Sequence, residues 1–302
     1  MDLEAILEEA LEEEAIEASV ATLVEISDGS SSVVPSAKIE AGSSQGHTET
    51  ITITFSDVSE HSVGMHRVSK QAKTGFSVAE LKEFRKYFES HGCQCEMIDL
   101  KESLQYAHVL VDTENAAVLV VRGGVKAFGA NPDTIMRDLM KTEWDTKRFF
   151  NGKQVTKLAR HSLYFGDYSC EPDLTVKKNR VVAFNKVEGL YKIQQVLNKM
   201  FSYRDVEFTA EGDRFYDIEK CGVAPCGDLN KRMVVGVHLG VMTRLAFAWH
   251  YQGVRYSKPV VLELHHGDVY VMSSKAVGWD SKRVAIATLK HASGAQNFIE
   301  ML

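Results

Sequence analysis

Cysteine is scarce in this chain: five residues in 302, at positions 93, 95, 170, 221 and 226. So few, and an odd number, exclude a disulfide-stapled fold and fit a reducing compartment, cytoplasmic or nuclear. Long apolar runs are missing too, and none approaches the roughly 20 residues that a membrane-spanning helix needs. Residues 1–30 hold ten Asp or Glu and no Lys or Arg, which excludes a secretory leader or an Arg-rich transit peptide there. No internal repeat is present. Gly123 and Gly124 lack the spacing and the helix of a phosphate-binding loop. Cys93 and Cys95 have no second pair nearby, so they read as strand residues and not as zinc ligands.

What is there is ordinary for a globular protein, 44% hydrophobic and 25% charged. The net charge of −6 hides an asymmetry, because the chain beyond residue 30 carries 35 basic against 31 acidic side chains. A faintly basic body is compatible with a nucleic-acid partner and does not require one.

Along the chain four regions are expected. Residues 1–28 read as an acidic amphipathic helix, with Leu3, Ile6, Leu7, Leu11, Ala15 and Ile16 near helical spacing. It suits docking on a protein partner as well as a solvated existence. Residues 29–48 are a Ser- and Gly-rich linker. Residues 49–140 read as a small α/β region. It holds an alternating strand in "TETITITFSDV", a helix capped by Ser77 and Glu80 and stopped at Gly92, two strands, and a helix through "NPDTIMRDLMKTEWDTKRFF". Residues 141–302 change texture. Short strand signals such as "KQVTKLA", "RDVEFTA", "RFYDIEK" and "MVVGVHLG" recur, broken by one clear helix, "EGLYKIQQVLNKMF". The fold class is α+β, with a sandwich or jelly roll in the second half.

"CGVAPCGDLNKR", residues 221–232, holds the most specific chemistry. In an extended segment Cys226 and Asp228 point to one side, and Gly227 between them leaves room for close approach. With His291 from a distant strand they would form one face of an octahedron, the arrangement of non-haem Fe(II) oxygenases.

The second half resembles the AlkB-like Fe(II)/2-oxoglutarate dioxygenases. "GKQVTKLARHSLYFGDYS" is similar to the family's strand, basic residue and Tyr/Phe-Gly-Asp near the base-recognition lid. "FYDIEKCGVAPCGD" resembles its Asn-x-Tyr segment followed by His-x-Asp, with Arg214 where asparagine is usual. "LELHHGDVYVMSSKAVGWD" looks like the strand leading to the distal histidine, His291, 63 residues after Asp228. The resemblance implies a double-stranded β-helix core with flanking helices, Fe(II) and 2-oxoglutarate as cofactors, and oxidative hydroxylation or dealkylation of a nucleic-acid base. Cys226, Asp228 and His291 would hold the metal and Tyr216 the co-substrate. Arg160, Tyr164 and Phe165 would face the substrate.

Two departures stand out. Cys226 replaces the first histidine ligand, and no basic residue follows His291 to grip the far carboxylate of 2-oxoglutarate. Arg244 and Arg283 are the substitutes considered, with Lys282 and Lys290. His238 reads as a strand residue and "HGD", 266–268, as a turn. Two functions therefore stay open, a working dioxygenase and a degraded pseudoenzyme that binds nucleic acid or protein.

Overall fold

The computed structural model describes residues 46–59, 69–106, 113–150, 153–176 and 178–302. The acidic helix expected at 1–28, and the linker up to residue 45, lie outside the described residues. Alternation decides the place of β1, Thr50–Ser56. Ile51, Ile53 and Phe55 are fully buried in the largest core, while Thr52 and Thr54 turn to the opposite face. The strand is central. It pairs antiparallel with β8 (Thr209–Phe215) on one side and β10 (Val234–Gly240) on the other.

These three strands sit within an eight-stranded sheet of order β2-β3-β14-β10-β1-β8-β6-β7. Its other members are β2 (Gln94–Asp99), β3 (Ala117–Arg122), β6 (His161–Gly166), β7 (Val181–Ala183) and β14 (Val269–Met272). A second sheet runs β12-β11-β15-β9, with β13 also paired to β11. It is built from β9 (Gly222–Cys226), β11 (Thr243–Tyr251), β12 (Val254–Arg255), β13 (Val260–Leu264) and β15 (Thr288–Gly294). The protein is thus a sheet-rich α+β fold. No helix among the described residues is long and apolar enough to cross a membrane.

Period-two patterning splits the core into two layers. Along β3, Leu119 and Val121 enter a core shared with helices, whereas Val118 and Val120 face the second sheet with Phe247, Trp249 and Leu289. The helical side is covered by α1 (Val78–Ser90), α2 (Pro132–Lys141) and α3 (Glu188–Met200) through Phe84, Phe88, Ile135, Leu139, Ile193 and Leu197. Each such side chain, fully buried, contributes about 1.5–3 kcal/mol. α1 begins with the expected reciprocal cap: Glu80 N–H donates to Ser77 Oγ, and Ser77 N–H donates to Glu80 Oε2 at 2.8 Å.

Three expectations are corrected. The boundary at residue 140 is not a break in the fold, because β1, β2 and β3 lie in the same sheet as β8, β10 and β14. The helix after Pro132 ends at Lys141, and "KRFF" forms β4 (Lys147–Phe150), paired with β5 (Lys153–Thr156). Hairpin pairing outweighs the helical reading there. The two strands read in 204–220 are one, β8, and Asp217 starts a turn by accepting from Cys221 N–H through its carbonyl.

Candidate functional site

The polar face of β1 opens on a cavity of about 120 Å³ between the sheets. Glu211 and Asp213 reach it from β8, Tyr270 from β14, His291 from β15 and Cys226 from β9. Asp228 and Lys231 enter from the loop after β9, and Arg160 precedes β6. Gly236 on β10 makes room for the Tyr270 ring, since a Cβ there would lie 1.9 Å from a ring carbon.

Cys226 faces the cavity because β9 is bulged. His291 is opposite Cys226 and Ser293 opposite Val223, so β9 spends one residue more than β15 over this stretch. The extra residue turns both Val223 and Cys226 inward, which strict alternation forbids. β9 then ends, and Asp228 is fixed by its own N–H donating to the Val277 carbonyl at 2.9 Å. Asp228 Oδ2 and His291 Nε2 approach to 3.8 Å. Among the described residues Cys226, Asp228 and His291 do not bring three donor atoms within 4.8 Å of one another, although they share a wall.

Sequence reasoning missed Lys231. It is buried, and its ammonium donates to Asp228 Oδ1 at 3.1 Å and to Glu211 Oε1. Burial opposes its charge, but the two carboxylates prevail and raise its pKa, keeping it protonated. Burial would also raise Asp228, yet Lys231 and then His291 hold its carboxyl below the ordinary value. Glu211 is pushed up to about 7, chiefly by burial, with Lys231 opposing. Burial lowers the pKa of His291 against the pull of Asp228. Asp213 is paired with Arg160 at 2.8 Å. The i,i+3 spacing of Asp228 and Lys231 was the available signal.

The other expected residues disperse. Tyr216 is 37% exposed, stacks on His161 and donates to the Leu158 carbonyl at 2.7 Å. Arg244 binds Gln296, while its neighbour Leu245 takes the cavity side of β11. Arg283 is exposed and lies over the Trp279 ring. Tyr164 and Phe165 are core residues, 1% and 0% exposed. Arg160 alone of the expected substrate residues lines the cavity. Strand alternation, invisible without register, accounts for Arg244, and the end of β8 at Phe215 for Tyr216.

A separate group gathers His47, Asp133 and His266, with His266 Nε2 3.2 Å from Asp133 Oδ1. Gly240 N–H donates to His266 Nδ1 at 2.8 Å. A neutral imidazole that accepts at Nδ1 carries its proton on Nε2, so His266 presents a hydrogen there and no lone pair for a cation. "HGD" serves the turn, as expected: Asp268 accepts from His265 N–H, Gly123 N–H and Arg122.

Iron and 2-oxoglutarate fit this wall poorly. Two metal donors converge, but a lysine already neutralises the carboxylate, and the two cations lining the cavity, Lys231 and Arg160, face carboxylates of the protein itself.

No family model matches the chain. The uncharacterized protein R156 of Acanthamoeba polyphaga mimivirus is 37% identical over 256 residues, which cover 83% of this chain and 98% of that protein. This chain belongs to the same protein family as that viral protein.

Proposed function

We propose that this chain is an AlkB-like jelly-roll protein that has given up iron chemistry and uses its cleft to bind nucleic acid. The strand path supports the jelly roll. From β8 the chain crosses between the sheets at β9, β10 and β11, returns within the second sheet along β13, and crosses again at β14 and β15, while β1 fills the remaining place between β8 and β10. Two four-stranded halves linked by such crossings are the double-stranded β-helix plan. Residues 292–302 offer no counterpart of the arginine that the resemblance implies shortly after His291; the chain turns there into α4 (Gln296–Met301), and the cavity meets Thr52 and Thr54 of β1.

One observation carries the binding-module reading: the Lys231 ammonium sits on Asp228, the anionic member of the expected metal set. A phosphate would have to draw Arg160 away from Asp213, its partner in the wall. The partly exposed Tyr216–His161 stack, next in the chain to cavity-lining Phe215, supplies aromatic faces for a base. Aromatic faces and cations together favour single-stranded nucleic acid.

A second reading, the dioxygenase, is favoured by the 3.8 Å approach of Asp228 to His291. These two residues would hold Fe(II), which with 2-oxoglutarate supplies oxygen activation for hydroxylating an N-alkyl base. Fluorescence anisotropy with single-stranded oligonucleotides, run beside a succinate assay, separates the two. Salt-dependent binding that Arg160→Ala weakens about 10-fold, without succinate, supports the module. Succinate formation supports the dioxygenase, and absence of oligonucleotide binding removes the nucleic-acid partner.

A further inference from the structure

We infer that the Lys231 side chain does the electrostatic work of a bound divalent cation, and that Glu211, Asp228 and His291 are the donors a cation draws together once that ammonium is removed. The inference rests on the binding-module reading and adds Glu211, on β8, to the expected residues. The ammonium lies between Glu211 Oε1 and Asp228 Oδ1, and the other Asp228 oxygen faces His291 Nε2. Glu211 Oε2 and His291 Nδ1 are buried without hydrogen-bond partners among the described residues, so neither ligand is locked by a competing contact. With Lys231 in place the three donor atoms do not lie within 4.8 Å of one another, but two anionic carboxylates and one uncharged imidazole nitrogen are a donor set that suits Mn(II) or another divalent ion.

Removing the ammonium leaves two buried carboxylates facing each other with no countercharge, an arrangement relieved by protonation or by a cation. Cysteine at 226 is no part of this set, so its replacement of histidine does not prevent it.

The test is Mn(II) titration of the full chain, followed by EPR of free Mn(II) and by thermal melting. Wild type should bind no Mn(II) at this cavity, and excess chelator should leave its Tm unchanged. Lys231→Met and Lys231→Gln should each bind one Mn(II) at least about 100-fold more tightly than wild type, with a raised Tm. Adding Glu211→Gln should abolish the gain. If both variants are unfolded without metal, refolding by Mn(II) supports the inference and failure to refold overturns it. Folded variants that bind no Mn(II) overturn it, as does His291-dependent Mn(II) binding by wild type. Succinate production or loss of oligonucleotide binding by wild type would sink the binding-module reading whatever the Mn(II) result.

Discussion

Cys226 on β9 and His291 on β15 are directly opposed across an antiparallel pair, beside a bulge that turns the cysteine into the cavity. Their shared face makes the histidine-to-cysteine exchange testable in place. Cys226→His alone leaves Lys231 on Asp228, so its Co(II) affinity should stay within about 10-fold of wild type. Combined with Lys231→Met it should exceed either single variant. A large gain from Cys226→His alone, read in the Co(II) absorption spectrum, would show that Lys231 is no obstacle.

Gly227 separates the cysteine from Asp228. A Cβ there would lie 2.2 Å from the Gly278 carbonyl and 2.5 Å from Ser281 Oγ. Gly227→Ala should therefore destabilise the protein by about 2–3 kcal/mol in urea unfolding, because backbone must shift. A neutral result would mean that this loop is looser than its packing indicates.

The polar pattern of β1, the capped α1 and the turn at "HGD" are readable in the sequence, since each depends on neighbours in the chain. So is the convergence of Asp228 with His291, through the order of motifs. The role of Lys231 is not, because its second partner, Glu211, lies 20 residues earlier on another strand. Nor is the place of β1, whose neighbours β8 and β10 are set by long-range pairing. The misplaced arginine followed from the same limit. Arg244 and Leu245 differ by one step of alternation, and only the register says which faces inward.

His238 on β10 is fully buried and donates from Nε2 to the Val241 carbonyl at 2.8 Å. Burial lowers its pKa from 6.5 to about 4. The unfolded chain takes up this proton first, so the neutral form stabilises the fold fully above about pH 6.5 and progressively less as pH falls toward 4. On the order of 3 kcal/mol should be lost across that window. His238→Gln should flatten this part of the stability–pH curve in urea titrations, and an unchanged slope would contradict the assignment.

Glu80 ties the N-terminus of α1 to Arg204, which also contacts Thr74. Burial would raise its pKa, but hydrogen bonds from Arg204, Ser77 and Tyr203 bring it to about 2. Glu80→Ala should cost about 1–2 kcal/mol and expose the α1 amides to faster hydrogen exchange. Loss of stability without a local change in exchange would contradict a capping role.

The proposal stands or falls on Lys231 occupying the place of a cation beside Asp228 and Glu211. Its most direct test is anaerobic addition of Fe(II) and 2-oxoglutarate to the wild-type chain, followed by admission of oxygen. The account predicts no metal-to-ligand charge-transfer band and no succinate; a band with stoichiometric succinate would contradict it.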